Sequence, residues 1–202
     1  NLISKLPSFD GITLRRGKID AEILEECKKL KVISRHGVGY DNVDIKFLKK
    51  SNITLLVTDT TTAVSPAEHI MFMILNISKG IDLYDKAVRD GKFESIMHMK
   101  NNNNFELANK KLLIIGFGRI GRKLIKRCLG FEMKVYAYDP FVDQKIIESL
   151  GGIKVNDLHD GLKEADILSL SVPLTEKTRN MINLKKMKMM KKNAIIINTS
   201  RG

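Results

Sequence analysis

Three glycines with the spacing G-x-G-x-x-G predict chemistry more clearly than any other group in this sequence: Gly116, Gly118 and Gly121. They lie between an apolar, strand-like run at residues 112–115 and a stretch whose apolar residues have helical spacing. In such a turn the first glycine permits a tight bend, the second lets a pyrophosphate approach the backbone, and the third lets the helix pack on the strand. The N-terminus of the helix then favours phosphate. The motif alone is weak, but this context predicts that residues 111–139 form a dinucleotide-binding βαβ unit.

Asp139 follows the second strand of this unit and lies 18 residues after Gly121. A carboxylate at this position accepts hydrogen bonds from the adenine-ribose hydroxyls and would repel a 2′-phosphate. Pro140 and Phe141 come next, and no arginine stands beside Asp139 to recruit that phosphate. The sequence therefore predicts NAD rather than NADP.

Strand-like and helix-like segments alternate along the chain, which is typical of an α/β fold with a parallel sheet. The predicted strands are residues 31–34, 54–57, 111–115, 134–138, 154–155, 167–170 and 194–198, with a short apolar segment at 11–14. The predicted helices are residues 20–30, 45–50, 81–89, 119–129, 144–150, 158–164 and 184–191. The asparagine run at 101–104 indicates a boundary loop, so we expect domains at residues 1–104 and 105–202, the second a doubly wound sheet.

A longer helix is predicted to begin near Ser65, with that residue as N-cap, Pro66 at the first helical position and Glu68 completing a capping box. Its run IMFMIL at residues 70–75 is apolar on nearly every side, which predicts burial all round. We therefore expect this helix to belong to the first domain and to lie between domains or subunits.

The 202 residues carry a formal net charge of +12, but the lysines are spread along the chain and only 6% of residues are aromatic. This distribution does not predict nucleic-acid binding, and a positive field suits an anionic substrate equally well. The densest basic cluster, residues 185–192, is expected to be a helix with a solvated face. No apolar run could span a bilayer, and Cys27 and Cys128 form neither a disulfide framework nor a zinc pattern. We expect a cytoplasmic protein without a metal site, bound to neither membrane nor nucleic acid.

Four segments resemble the D-isomer-specific 2-hydroxyacid dehydrogenase family and occur in its order. They are residues 34–44 (SRHGVGYDNVD), the glycine turn at 116–121, residues 171–175 (SVPLT) with Thr178, and residues 198–202 (NTSRG). The resemblance covers essentially the whole chain. It implies a Rossmann-type doubly wound NAD domain plus a smaller flavodoxin-like α/β substrate domain. Within the family it is strongest to D-3-phosphoglycerate dehydrogenases, which act in serine biosynthesis.

The resemblance also implies roles for individual residues. Gly37, Val38 and Gly39 match the turn whose amides hold the substrate carboxylate, and Val38 would also face the nicotinamide. Arg15 and Arg35 match positions that can contact an anionic substrate tail. The implied cofactor contacts are Arg119 and Ile120 at the pyrophosphate, Val172 and Pro173 on the adenosine side, and Thr199, Ser200 and Arg201 at the nicotinamide.

Arg201 matches the catalytic arginine, whose forked guanidinium would grip the carboxylate and the carbonyl oxygen of a 2-oxo acid. The family mechanism also needs a histidine acid–base and a glutamate that orients it, and both follow the NTSRG segment. The histidines of this chain occur in other contexts: His36, His69, His98 and His159. His69 and His159 are expected to be structural, and His98 to lie in a loop. The family's first strand and helix are not evident before Asn1, so the sequence resembles the middle of a longer polypeptide.

The function implied is an NAD-dependent oxidoreductase that moves a hydride between the nicotinamide and C2 of a small anionic D-2-hydroxy acid, as a homodimer. Glyoxylate or hydroxypyruvate reductase is an alternative within the family, although the pair Arg15 and Arg16 slightly favours a phosphorylated substrate. An NAD-sensing binding protein, like the family's corepressors, is a second alternative because it would keep the same glycine motif.

Overall fold

The computed structural model describes residues 3–58, 63–97 and 104–201. The chain divides into two compact units, Asn1–Thr62 and Ala63–Gly202, which we call the first unit and the second unit. The second unit holds the predicted dinucleotide motif.

The first unit is a small parallel α/β arrangement. Its elements are a 3-10 helix (Ile3–Ser8), β1 (Gly11–Leu14), α1 (Ala21–Glu26), β2 (Val32–Arg35), α2 (Ile45–Lys50) and β3 (Thr54–Val57). The strands pair in the order β1-β2-β3, and the fully buried Ile33 lies on the central strand. α1 is shorter than the predicted helix 20–30 because Asp20 caps its start and the chain turns at Cys27.

The second unit contains a five-stranded parallel sheet with helices on both faces. Its elements are α3 (Val64–Lys79), α4 (Ile81–Arg89), α5 (Phe93–Met97), β4 (Lys111–Ile115), α6 (Arg119–Gly130), β5 (Lys134–Tyr138), α7 (Gln144–Glu148), β6 (Ile153–Lys154), α8 (Leu158–Glu164), β7 (Ile167–Leu170), α9 (Leu184–Met187) and β8 (Ile195–Asn198). Alternate residues of β4 enter different cores: Leu112 and Ile114 lie in one, Leu113 and Ile115 in the other. The predicted Rossmann-like α/β fold is confirmed.

The strand order β6-β5-β4-β7-β8 decides which loops meet. Ile115 at the end of β4 pairs with Tyr138 on one side and with Leu170 on the other. The loops after β4, β5 and β7 therefore leave the sheet at the same edge. Chain order reverses direction between β4 and β7, and such a switch point is where open α/β sheets bind ligands.

The start of α3 differs from the prediction. The N-cap is Ala63, which makes no side-chain hydrogen bond, and Ser65 and Pro66 already lie in the first turn. The predicted capping box is therefore wrong. Proline is tolerated there because the first N–H groups of a helix have no intrahelical acceptor.

Within the single chain, the described residues of α3 are buried on one face only, and burial of the other face between domains or subunits stays a prediction. Ile70 and Ile74 are fully buried, whereas Phe72 is 57% exposed. The buried face shares a core with α6 and the sheet of the second unit. The domain limits at 104 and 105 stay a prediction.

The basic cluster at residues 185–192 is mostly not helical. α9 ends at Met187, and Met190 then packs against the core that contains Leu162. Lys191 pairs with Asp166 at 2.7 Å. The predicted helix 184–191 is therefore too long, because the helix ends at Met187 and Met190 packs from the turn that follows. The predicted loop at 101–104 falls outside the described residues except for Asn104.

Candidate functional site

The glycine turn has the geometry that its sequence predicts. Gly116 has φ +91°, and a Cβ there would lie 2.6 Å from the carbonyl oxygen of Ser171. A Cβ on Gly121 would lie 2.8 Å from the carbonyl oxygen of Gly116. Both gaps are too small for a side chain. Glycine at position 116 therefore lets the turn pack against the backbone after β7, and glycine at position 121 lets α6 pack against the turn.

Gly118 meets a different constraint, since a Cβ there would have no atom within 4 Å. It is the N-cap of α6 and offers no side-chain oxygen to the first N–H groups of the helix. Gly118 is exposed, so an anion can approach the positive end of the helix dipole at this point. The residues present therefore fit a pyrophosphate.

Asp139 is held against this turn by both of its carboxylate oxygens. Oδ2 accepts the N–H of Phe117 at 2.8 Å, and Oδ1 accepts the N–H of Phe141 at 2.9 Å. Each carboxylate oxygen can accept a second hydrogen bond. The half-buried Asp139 therefore keeps acceptor capacity for ribose hydroxyls, as the sequence predicts.

Lys154 is a residue of this region that the sequence did not indicate. Its Nζ donates to the carbonyl oxygen of Asp139 at 2.7 Å and to that of Val142. The contact depends on the register of β6, in which Lys154 pairs with Ala137 of β5. Because β6 has only two residues, no periodicity in the sequence could have revealed that register.

Val172 and Pro173 follow β7, on the other side of β4 from Asp139. A Cβ on Gly116 would lie 2.8 Å from Cγ1 of Val172, so this side chain packs directly on the glycine turn. The hydroxyl of Thr178 donates to the carbonyl oxygen of Pro173 and accepts the N–H of Thr175 at 2.8 Å. The two threonines therefore close the loop that holds Val172 and Pro173.

The segment after β8 folds back on itself. The hydroxyl of Ser200 donates to the carbonyl oxygen of Leu170 at 3.0 Å, and the Ser200 N–H donates to Oδ1 of Asn198 at 2.9 Å. The exposed Arg201 donates from Nη1 to the carbonyl oxygen of Ser200 at 2.9 Å. Arg201 and Ser200 line a cavity of about 190 Å³ together with Val172 and Pro173.

Three hydroxyls of the second unit are buried without a hydrogen-bond partner among the described residues: those of Ser169, Ser171 and Thr199. Ser171 and Thr199 directly follow β7 and β8, at the same sheet edge as the glycine turn. Buried hydroxyls of this kind often mark the place of a ligand group or a water molecule. They suit a polar cofactor at this edge.

The substrate residues implied by the resemblance lie in the first unit. Gly37 has φ +129°, and a Cβ there would lie 2.8 Å from Nη1 of Arg35. Arg35 donates to the carbonyl oxygen of His36 and, at 3.4 Å, to Oδ1 of Asn42. Arg35 therefore braces the Gly37 turn. Gly39 is half-buried, and Val38 and Arg15 are exposed.

The histidines of the described residues have structural contacts. His69 is exposed and stacks on Phe72, with ring centroids 6.0 Å apart. His159 lies at the start of α8, and its backbone N–H donates to Oδ1 of Asp157 at 2.8 Å. His36 is exposed, and His98 lies outside the described residues. In the described parts of the chain, no group of three or more His, Cys, Asp or Glu residues could hold a metal ion. Nor is any described helix long and apolar enough to cross a membrane.

Comparison with known proteins identifies the family. The family "D-isomer specific 2-hydroxyacid dehydrogenase, NAD binding domain" matches residues 71–202. Glyoxylate reductase from Thermococcus litoralis is 40% identical over 205 residues, and D-3-phosphoglycerate dehydrogenase from Methanocaldococcus jannaschii is 36% identical over 202 residues. Each alignment covers 100% of this chain but only 62% and 38% of the respective relative.

A solved structure of D-lactate dehydrogenase from Aquifex aeolicus, complexed with NAD and lactic acid, has a TM-score of 0.90 and 32% sequence identity. The match covers 99% of this chain and 59% of that one. The predicted family and cofactor domain are confirmed, while the roles of individual site residues stay predictions. The chain belongs to the D-isomer specific 2-hydroxyacid dehydrogenase family and carries that family's NAD binding domain.

Proposed function

We propose that the protein is an NAD-dependent oxidoreductase that transfers a hydride between nicotinamide C4 and C2 of a D-2-hydroxy acid. The observation that carries this proposal is the Asp139 carboxylate, which is fixed at the glycine turn by the N–H groups of Phe117 and Phe141. A negative charge at this point favours an adenosine ribose with free hydroxyls over one that carries a 2′-phosphate.

The chain's own residues would bind and orient the reactants, while NAD supplies the hydride chemistry when bound. We assign the pyrophosphate to the amides at the start of α6 and the adenine ribose to Asp139. Val172, Pro173, Thr199 and Ser200 would line the remainder of the cofactor site. Arg201 would bind the carboxylate of the acid and polarise its C2 oxygen, since a guanidinium can donate two parallel hydrogen bonds.

The turn at residues 37–39 supplies a second feature suited to a carboxylate. Gly37 has φ +129°, which glycine adopts more readily than other residues, and backbone N–H groups in a turn can bind an anion. We propose that this turn contacts the substrate carboxylate and that Arg15 contacts a more distant anionic group. For proton transfer we expect the histidine–glutamate pair that the family resemblance implies after the NTSRG segment.

D-3-phosphoglycerate is the substrate that we favour, which would place the protein in cytoplasmic serine biosynthesis. Support comes from the name of the Methanocaldococcus relative and from the net charge of +12. Glyoxylate and hydroxypyruvate are the alternatives, because relatives that are 40% and 38% identical carry those substrates in their names.

We also propose a homodimer that forms through α3. Phe72 and Ile77 are 57% and 45% exposed on a helix whose other face is buried in the core. Phe72 and Ile77 are five residues apart, so they flank the buried face of α3 on different sides, and exposed apolar side chains of this kind suit contact with a second copy of the chain.

A test is the oxidation of NADH by the full-length protein with 3-phosphohydroxypyruvate, hydroxypyruvate, glyoxylate and pyruvate. We expect turnover of at least one acid, and Arg201→Gln should lower kcat/KM by about 100-fold or more because a charge-assisted contact to the reacting group is lost. Arg89→Gln, which removes only an exposed ion pair with Asp85, should leave the rate unchanged. Tight NADH binding without turnover of any acid would instead favour the NAD-sensing binding protein.

A further inference from the structure

The loop between β5 and α7 carries Asp139 and is tied to the end of β6 by one side chain. Nζ of Lys154 donates to the carbonyl oxygen of Asp139 at 2.7 Å and to the carbonyl oxygen of Val142. These are the first and last residues of the segment 139–142. The ammonium therefore joins both ends of the loop.

The same loop is also tied from within and to the glycine turn. Asp139 accepts the N–H of Phe141 through Oδ1 at 2.9 Å and the N–H of Phe117 through Oδ2 at 2.8 Å. A shift of the loop backbone would therefore move the carboxylate relative to the glycine turn. Through these contacts, Lys154 is mechanically linked to the carboxylate while touching only main-chain atoms.

Lys154 is half-buried, although a lysine at the end of an edge strand could extend into water. Removing part of an ammonium from water costs free energy unless hydrogen bonds replace the lost hydration. Here two of its three N–H groups are used on main-chain carbonyls of one loop. Hydrogen bonds that involve a charged donor are stronger than neutral ones, so the loop gains order from this lysine.

We propose that Lys154 is a positioning residue of the adenosine part of the NAD site. It holds the 139–142 loop so that the Asp139 carboxylate faces the adenine ribose. The proposal rests on the proposed role of Asp139 and adds to it the group that keeps Asp139 in place.

The test measures the binding of AMP and of NADH to the full-length protein by calorimetry. Lys154→Met should weaken both affinities by roughly tenfold, which corresponds to hydrogen bonds from one charged donor. Lys154→Arg should restore affinity to within about threefold, because a guanidinium can also donate to two carbonyls. Lys134→Met is the matched control. It removes the same charge from the first residue of β5, at the end of the strand away from Asp139, and should leave both affinities unchanged.

Salt and stability separate positioning from other effects. At about 0.5 M salt the screening length is only a few ångströms, so a distant charge effect would vanish, whereas the loss from a displaced loop should persist. Unliganded Lys154→Met should still unfold in one cooperative urea transition, with a midpoint lowered only by the loss of these two hydrogen bonds. The proposal is overturned if the loss disappears at high salt, if Lys154→Arg fails to restore affinity, or if Lys154→Met binds AMP normally.

Asp139→Ala separates this proposal from the proposed function. If that variant loses AMP binding while Lys154→Met does not, the role of Lys154 is wrong and the NAD site stands. If Asp139→Ala binds AMP normally, the role of Asp139 fails and the inference about Lys154 falls with it.

Discussion

At the scale of single residues, Gly116 and Gly118 belong to one turn but have different structural roles. Gly116 is buried, has positive φ and lies against the backbone after β7, whereas Gly118 is exposed and faces open space. The first glycine makes the turn possible, and the second keeps the space above the helix N-terminus clear.

Alanine at these two positions should separate folding from binding. Gly116→Ala should lower the free energy of unfolding by about 1–3 kcal/mol or more, because the new Cβ meets the Ser171 carbonyl in a left-handed conformation. Gly118→Ala should change the free energy of unfolding by less than about 1 kcal/mol, because Gly118 is an N-cap whose new Cβ meets no other atom. The same Gly118→Ala change should weaken NADH binding by about tenfold or more, because a methyl group enters the pyrophosphate space. Urea unfolding measures the stability of each variant, and NADH titration measures its affinity for the cofactor. Normal NADH binding by Gly118→Ala would contradict a pyrophosphate site at Gly118.

Asp139→Asn should shift the cofactor preference. The amide loses the negative charge that repels a 2′-phosphate but can still accept one backbone N–H. We expect the ratio of NADPH to NADH affinity to rise by about tenfold. Asp143→Asn, a change to the exposed cap of α7, is the control and should leave the ratio unaltered. An unchanged ratio in Asp139→Asn would show that this carboxylate does not face the ribose.

Much of the site could be predicted at this scale because glycine spacing and a strand-end acid depend only on local sequence. Gly116, Gly118, Gly121 and Asp139 lie where the motif predicts. Lys154 could not be found in this way, because its partners are set by the register of a two-residue strand. The hydrogen bond from Arg35 to the carbonyl oxygen of His36 could not be predicted for a similar reason, because a contact to the main chain does not depend on the type of the accepting residue.

At the scale of elements, the apolar strands were the easiest features to predict. β4, β5 and β7 begin and end at the predicted residues, since each strand is a short apolar run between turn residues. The start of α3 was wrong because proline fits anywhere in a first helical turn, so its position does not fix the N-cap. The length of α9 was wrong because a run of lysine and methionine suits both a helix and a turn.

The two faces of α3 should respond differently to truncation. Ile74→Ala should lower the free energy of unfolding by about 2–5 kcal/mol, because Ile74 is fully buried in the core shared with α6. Phe72→Ala, at a position that is 57% exposed, should cost less than about 1 kcal/mol at concentrations where the protein is monomeric. Sedimentation should also show weaker dimerisation for Phe72→Ala. Equal losses of stability in the two variants would contradict the one-sided burial of α3.

Cys128 reports on the contact between α6 and α3. Its Sγ lies 3.4 Å from Sδ of Met71, and burial raises the pKa of the thiol to about 12 from its ordinary value of 9.0. Since only the thiolate is alkylated, iodoacetamide at pH 8 should label Cys128 only after unfolding. The raised pKa also means that the protonated thiol contributes stability below about pH 9, which is lost as the pH rises towards 12. Mass spectrometry that found rapid labelling of Cys128 in the native protein would contradict this packing.

At the scale of the whole molecule, the chain combines two compact units whose division follows the packing of α3. The sequence suggested a boundary at the asparagine run, and that boundary stays a prediction. The family matches residues 71–202, and the chain spans 38–63% of the length of the three relatives compared by substrate. The NAD binding domain is therefore established, and the reaction of the full-length protein is the point to test.

The most direct test of this reaction is the chirality of the product that the full-length protein forms from hydroxypyruvate or 3-phosphohydroxypyruvate with NADH. Chiral chromatography should find the D-2-hydroxy acid alone, formed in an amount equal to the NADH consumed. The L-acid, a racemic mixture, or NADH consumption without a hydroxy acid would contradict the proposed function.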